Sequence, residues 1–195
     1  MATRSFVLPP VVAALVAALA QTAVLGYMVE SRASILRNGA EVRLKTVPVD
    51  PRDLLRGDYV TLSYEISTIP GSLLVGPPPE SGSWQPMWVR LAAGADGLWQ
   101  ASEASFSPLA GKDGTVVAET LPTYYYPLGD GSVPANLSAS YGIERYYVPE
   151  GEGLVLEEAR NQQALEVVAR VSAAGRMQIS RILLRGEPVY DEPLY

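Results

Sequence analysis

Pro48-Val49-Asp50-Pro51-Arg52-Asp53-Leu54-Leu55-Arg56-Gly57-Asp58-Tyr59-Val60-Thr61-Leu62-Ser63-Tyr64 contains the change of period that decides the fold. From Tyr59 onward the apolar residues recur at every second position. Val60, Leu62, Tyr64 and Ile66 share one face, and Tyr59, Thr61, Ser63 and Glu65 the other, which predicts a half-buried strand. The residues before it are turn formers. Asp50 suits a helix N-cap, Pro51 the first position of a helical turn, and Gly57 a left-handed end to that turn. Asp50–Asp58 therefore reads as a structured connection between two strands.

The same period appears on either side. Ala40, Val42, Leu44 and Thr46 alternate with Glu41, Arg43 and Lys45. Met87, Val89 and Leu91 alternate with Trp88 and Arg90. Leu98–Ala101 and Thr115–Leu121 each follow an Asp-Gly turn, and Leu165–Val171 and Arg176–Leu184 flank Ala173-Ala174-Gly175 as a hairpin. Gly71–Gly82, with Pro77-Pro78-Pro79, reads as an exposed loop. Leu154–Gln163 is the one short helix expected, with Glu157 and Glu158 early and Arg160 late. The fold class is mainly β: an N-terminal transmembrane helix, then one compact antiparallel barrel or sandwich domain with one short helix.

The transmembrane segment is the uncharged run Phe6–Val29, long enough at about 1.5 Å per residue to span roughly 36 Å. A cleavable signal peptide competes, because Ala18-Leu19-Ala20 resembles a cleavage site. The apolar run continues past it through Val24, Leu25 and Met28, which favours a retained anchor. The chain thus divides into residues 1–30, an anchor in the lipid bilayer, and residues 31–195, a β-rich domain. Ser31–Asn38 prolongs the helix briefly and Gly39 ends it. The short N-terminal tail with Arg4 favours an exported domain, whereas Arg32, Arg37, Arg43 and Lys45 after the helix pull the other way.

Composition removes several chemistries. The chain has no His and no Cys, which excludes Ser-His-Asp and Cys-His enzymes, thiolate or imidazole metal sites, disulfides and a lipidated N-terminal cysteine. The net charge of −6 argues against nucleic acid as a partner.

Gly57-Asp58-Tyr59, with Leu62 and Tyr64 at the following spacing, is the signature of the GDYXXLXY family, and the chain resembles that family. Tyr141-Gly142-Ile143-Glu144-Arg145-Tyr146-Tyr147-Val148-Pro149-Glu150-Gly151-Glu152-Gly153 is similar to its later block. The resemblance implies a membrane-anchored bacterial protein and supplies no reaction and no catalytic residue. The signature positions are Asp50, Pro51, Arg52, Asp53, Arg56, Gly57, Asp58, Tyr59, Leu62 and Tyr64, and Tyr141, Gly142, Glu144, Arg145, Pro149, Gly151 and Gly153.

Other readings of these residues carry less. Asp50, Asp53, Asp58 and Glu65 offer oxygen ligands for a hard cation, but they lack EF-hand spacing and have Arg52 and Arg56 beside them. Arg56-Gly57-Asp58 matches an adhesion tripeptide yet leads straight into a strand. The Pro-x-x-Leu-Leu-x-Gly-Asp-x-Val run echoes bacterial signal peptidases, but no serine lies between Arg43 and Leu62 to act as nucleophile. The tyrosines Tyr124, Tyr125, Tyr126, Tyr146 and Tyr147 form the candidate contact surface, since adjacent strand residues point to opposite faces and part of each cluster must be exposed.

The expectation is a non-enzymatic, single-pass protein of the bacterial cytoplasmic membrane with its domain on the exported side. It binds or stabilises another membrane-complex or envelope protein, and no cofactor is expected. The alternatives are a carboxylate- or cation-dependent hydrolase of envelope polymers, and a small-ligand or sugar-binding module built on the tyrosines.

Overall fold

The computed structural model describes residues 9–48, 59–79, 82–129, 131–147, 153–162 and 164–193. The chain opens with α1 (Pro10–Asn38). The strands follow as β1 (Ala40–Lys45), β2 (Tyr59–Thr61), β3 (Thr68–Pro70), β4 (Trp84–Gln85), β5 (Trp88–Ala93), β6 (Trp99–Ser105) and β7 (Thr115–Glu119). They continue as β8 (Thr123–Tyr124), β9 (Asn136–Ser138) and β10 (Arg145–Tyr147), then α2 (Gly153–Asn161), β11 (Leu165–Val171), β12 (Met177–Leu184) and β13 (Glu187–Asp191).

All the named ladders are antiparallel. One sheet has the order β1-β11-β12-β13 and another β6-β5-β7, and three two-stranded ribbons pair β2 with β10, β3 with β9 and β4 with β8. Among the described residues no ladder closes the strands into a barrel, so the architecture is a sandwich. The core lies between the layers. Val42 and Leu44 of β1, Val89 and Leu91 of β5, and Leu165 and Val167 of β11 are fully buried. The expected hairpin is present, with Gly175 at φ +82° in the turn between β11 and β12.

α1 is one continuous helix, so the boundary between residues 30 and 31 falls inside it. Its first five turns are apolar and exposed, with Leu15, Leu19 and Leu25 facing outward. The helix is long and apolar enough to cross a membrane. Its last turns instead pack on β11 and β12 through Ala33, Ile35 and Leu36. Gly39 ends it for a steric reason. Its φ is −68°, not left-handed, but a Cβ there would sit 2.6 Å from the Ile35 carbonyl oxygen and 3.0 Å from Arg170 Cβ. Only glycine lets the helix end approach β11 this closely.

Several expected elements differ in extent: the strand expected over Leu98–Ala101 runs from Trp99 to Ser105, and that over Thr115–Leu121 ends at Glu119. The strand beginning at Tyr59 leaves its ladder after Thr61, because Leu62 N–H donates to the Glu144 carbonyl, Tyr64 bridges to Thr46, and Glu65–Ser67 forms a 3-10 turn. Even so, Val60, Leu62, Tyr64 and Ile66 are all buried, so the alternation survives a change of pairing partner. The short helix begins at Gly153 and ends at Asn161.

Candidate functional site

The two signature blocks meet. Tyr59–Thr61 pairs with Arg145–Tyr147 in register Tyr59↔Tyr147, Val60↔Tyr146 and Thr61↔Arg145. Two buried hydroxyls then cross between the blocks. Tyr64 donates to the Ile143 carbonyl at 2.6 Å, and Tyr141 donates to the Ile66 carbonyl at 2.9 Å. The bend that permits this exchange depends on Gly142, whose φ of +79° strains any residue with a Cβ. Glu144 holds the bend from within, its two carboxylate oxygens accepting the backbone N–H groups of Tyr141 at 2.5 Å and Gly142 at 2.9 Å.

Burial, and secondarily the Glu144 carboxylate, raises the Tyr64 and Tyr141 hydroxyls well above the ordinary phenol range. Both stay neutral donors at physiological pH. Each spends its proton on a backbone carbonyl, so neither is offered to a substrate. Tyr64, Leu62, Tyr141, Gly142 and Glu144 are thus a staple between distant parts of the chain.

The remaining signature positions divide. Tyr59 and Arg145 lie on the outer side, with the Arg145 guanidinium 5.5 Å from the Tyr59 ring centroid and Tyr147 6.0 Å from the same ring. Asp50, Pro51, Arg52, Asp53, Arg56, Gly57, Asp58, Pro149 and Gly151 lie outside the described residues, as do three members of the proposed cation set; Gly153 opens α2. The fourth member, Glu65, faces Lys45 at 3.9 Å.

The tyrosine contact surface needs correction. Tyr125 is only 3% exposed and packs edge-on to Phe106 at 5.2 Å. Tyr146 is buried against Tyr190 at 5.0 Å. Both belong to the interior, because alternation turns every second tyrosine inward. Tyr124, Tyr126 and Tyr147 remain outside, on two different ribbons.

The sequence reading missed Trp84. It is 70% exposed, stands opposite Tyr124 across the β4–β8 ladder, and contacts that ring at 5.5 Å in an edge-on arrangement. Tyr126, 69% exposed, follows on the same segment. Beside them lies a cleft of about 200 Å³ lined by Phe106, Tyr124, Tyr126, Asn136 and Ser138 among others. Only pairing between segments remote in sequence brings Trp84 to Tyr124, and no local pattern announces it. Arg160 was also passed over as a dipole-complementing helix residue. It is 2% exposed, and its guanidinium donates to the Thr61 carbonyl at 2.5 Å and to Asn161 Oδ1. It clamps α2 to the end of β2.

With this geometry in view, the model of one protein family, described as GDYXXLXY protein, matches residues 21–182. The chain belongs to the GDYXXLXY family. No curated protein and no solved structure matches it. The match spans the end of the apolar helix, the staple and the four-stranded sheet as far as Ile182, so the family's signature and its sandwich form one unit.

Proposed function

We propose that this GDYXXLXY protein is a single-pass, non-enzymatic accessory module of a bacterial cytoplasmic membrane, with its domain on the exported side, where it docks on and stabilises a protein partner of the same membrane. The observation that carries the reading is the exposed pair Trp84 and Tyr124, extended by Tyr126, on a domain held at the end of an apolar helix. Trp and Tyr supply large rigid contact area and dominate the binding energy of protein interfaces. The inward donation of both staple hydroxyls leaves them no catalytic part.

The test is purification of the full chain from its own membranes in mild detergent. The wild type should carry a stoichiometric partner. Trp84→Ala with Tyr126→Ala should release it while leaving the thermal melt in place, and Tyr147→Ala, on the other ribbon, should not. A solitary wild-type monomer, or a partner retained by the double variant, rejects the docking face.

A further inference from the structure

The point where α1 enters the domain carries an arrangement that the docking face does not use. Arg32 is exposed three residues beyond Val29, where the uncharged run ends, which places it about 4.5 Å further along the helix axis. In a spanning helix that is the depth of lipid headgroups. Two grooves flank this residue. One, of about 280 Å³, runs from Arg32 to Arg145 and Tyr147; the other, of about 430 Å³, runs from Arg32 to Arg176 and Leu121. They share Gly142 and Gln178.

The charge pattern is selective. Arg37, Arg43, Arg90, Arg170 and Arg181 each hold a carboxylate. Among the described residues Arg32, Arg145, Arg160, Arg176 and Arg185 hold none; Arg160 is buried on the Thr61 carbonyl and Asn161, and Arg185 lies at the far end of β12, which leaves Arg32, Arg145 and Arg176 on this face. Two of the carboxylates nearby are engaged within the protein: Glu144 accepts the amides of Tyr141 and Gly142, and Glu192 accepts the Tyr190 hydroxyl at 3.0 Å. Glu192 in the first groove and Glu119 in the second each keep a negative charge that an anion must outweigh by its pairing with the arginines. Leu121 and Tyr147, both at least half exposed, supply the apolar and aromatic groups that favour a membrane interface.

We infer that this membrane-proximal face is a binding site for the headgroups of anionic phospholipids, with Arg32 shared between two phosphates and Arg145 and Arg176 each completing one. Guanidinium forks match phosphate oxygens in pairs, and phospholipid headgroups surround the end of α1 wherever it spans the bilayer. The inference rests on α1 being a membrane span.

Native mass spectrometry of the full chain in detergent, titrated with short-chain phosphatidylglycerol or phosphatidylcholine, reads the site directly. Phosphatidylglycerol should bind in preference. Each of Arg32→Gln, Arg145→Gln and Arg176→Gln should weaken it roughly fivefold, and the three together on the order of a hundredfold. Glu119→Gln should tighten it. Arg185→Gln, at the opposite end of β12, should leave it unchanged. Equal binding of the two lipids, or a triple variant that binds like wild type, overturns the site. Displacement by inorganic phosphate at the concentration that binds the lipid would make this a free-phosphate site and overturn the lipid assignment. Carbonate extraction of native membranes separates the two readings. A chain released into the aqueous phase refutes the span and the site together, and a retained chain without lipid preference refutes the site alone.

Discussion

Replacing Tyr64 by Phe removes one oxygen and keeps the ring. The ring is fully buried, so packing changes little, and the loss is the 2.6 Å hydrogen bond to the Ile143 carbonyl. A buried carbonyl left without its donor costs about 1–3 kcal/mol. In a domain of this size each kcal/mol moves the melting temperature by about 2–4 °C, so a loss of about 2 kcal/mol lowers it by roughly 4–8 °C. Tyr141→Phe strands the Ile66 carbonyl in the same way, through a longer bond of 2.9 Å, and should cost about 1–2 kcal/mol. The two bonds tie the same pair of segments, so the double variant should lose less than the sum, by about 0.5 kcal/mol or more. Circular-dichroism melts of the full chain in detergent supply all four corners of the cycle. If Tyr64→Phe melts with the wild type, the carbonyl has another donor and the staple is not what joins the blocks.

The same hydroxyls set a pH dependence. Their folded pKa values lie above the unfolded value near 10, so the folded state keeps protons that the unfolded state releases. Stability is then whole below about pH 10 and falls above it, by about 1.4 kcal/mol per pH unit for each tyrosine, and denaturant titrations should show Tyr64→Phe and Tyr141→Phe flattening that decline. Tyr125→Phe should be neutral or stabilising by up to about 1 kcal/mol, because its sealed hydroxyl has no partner among the described residues; a clear drop in melting temperature would reveal one. Asn161→Asp should raise stability by about 1 kcal/mol, since the Arg160 fork already closes on Oδ1 at 3.0 and 3.2 Å and gains a full negative charge there; an unchanged melt would refute this. Gly39→Ala should cost about 1–3 kcal/mol through the 2.6 Å clash with the Ile35 carbonyl, measured by urea titration, and a neutral result would mean that the end of α1 can move off β11.

What the sequence made legible was periodicity. The alternation through Val60, Leu62, Tyr64 and Ile66 identified four core residues correctly although the ladder changes partner beneath them, because alternation reports burial and not pairing. The Gly175 hairpin and the Asp-Gly turns at Gly97 and Gly114 were legible because left-handed backbone needs glycine, and all three have positive φ. The candidate contact surface was less accessible. Tyrosine runs were visible, but Tyr125 and Tyr146 pass inward, and Trp84 joins Tyr124 only through a ladder between segments far apart in the chain. The staple was hidden for the same reason, since nothing local to Tyr64 or Tyr141 tells that each reaches a carbonyl beside the other.

The handover at Gly39 leaves no slack: the last residue of α1 is Asn38 and the first of β1 is Ala40. A domain on a flexible leash would tumble and sweep a hemisphere above its attachment point. This one is mounted on a stiff spar, and once that spar is held upright the domain keeps one free rotation, about the helix axis. Most of the orientational entropy that association normally consumes has then been surrendered in advance. A neighbour anchored in the same plane would meet the Trp84 face at a fixed height, and encounters become a search over two translations and one angle.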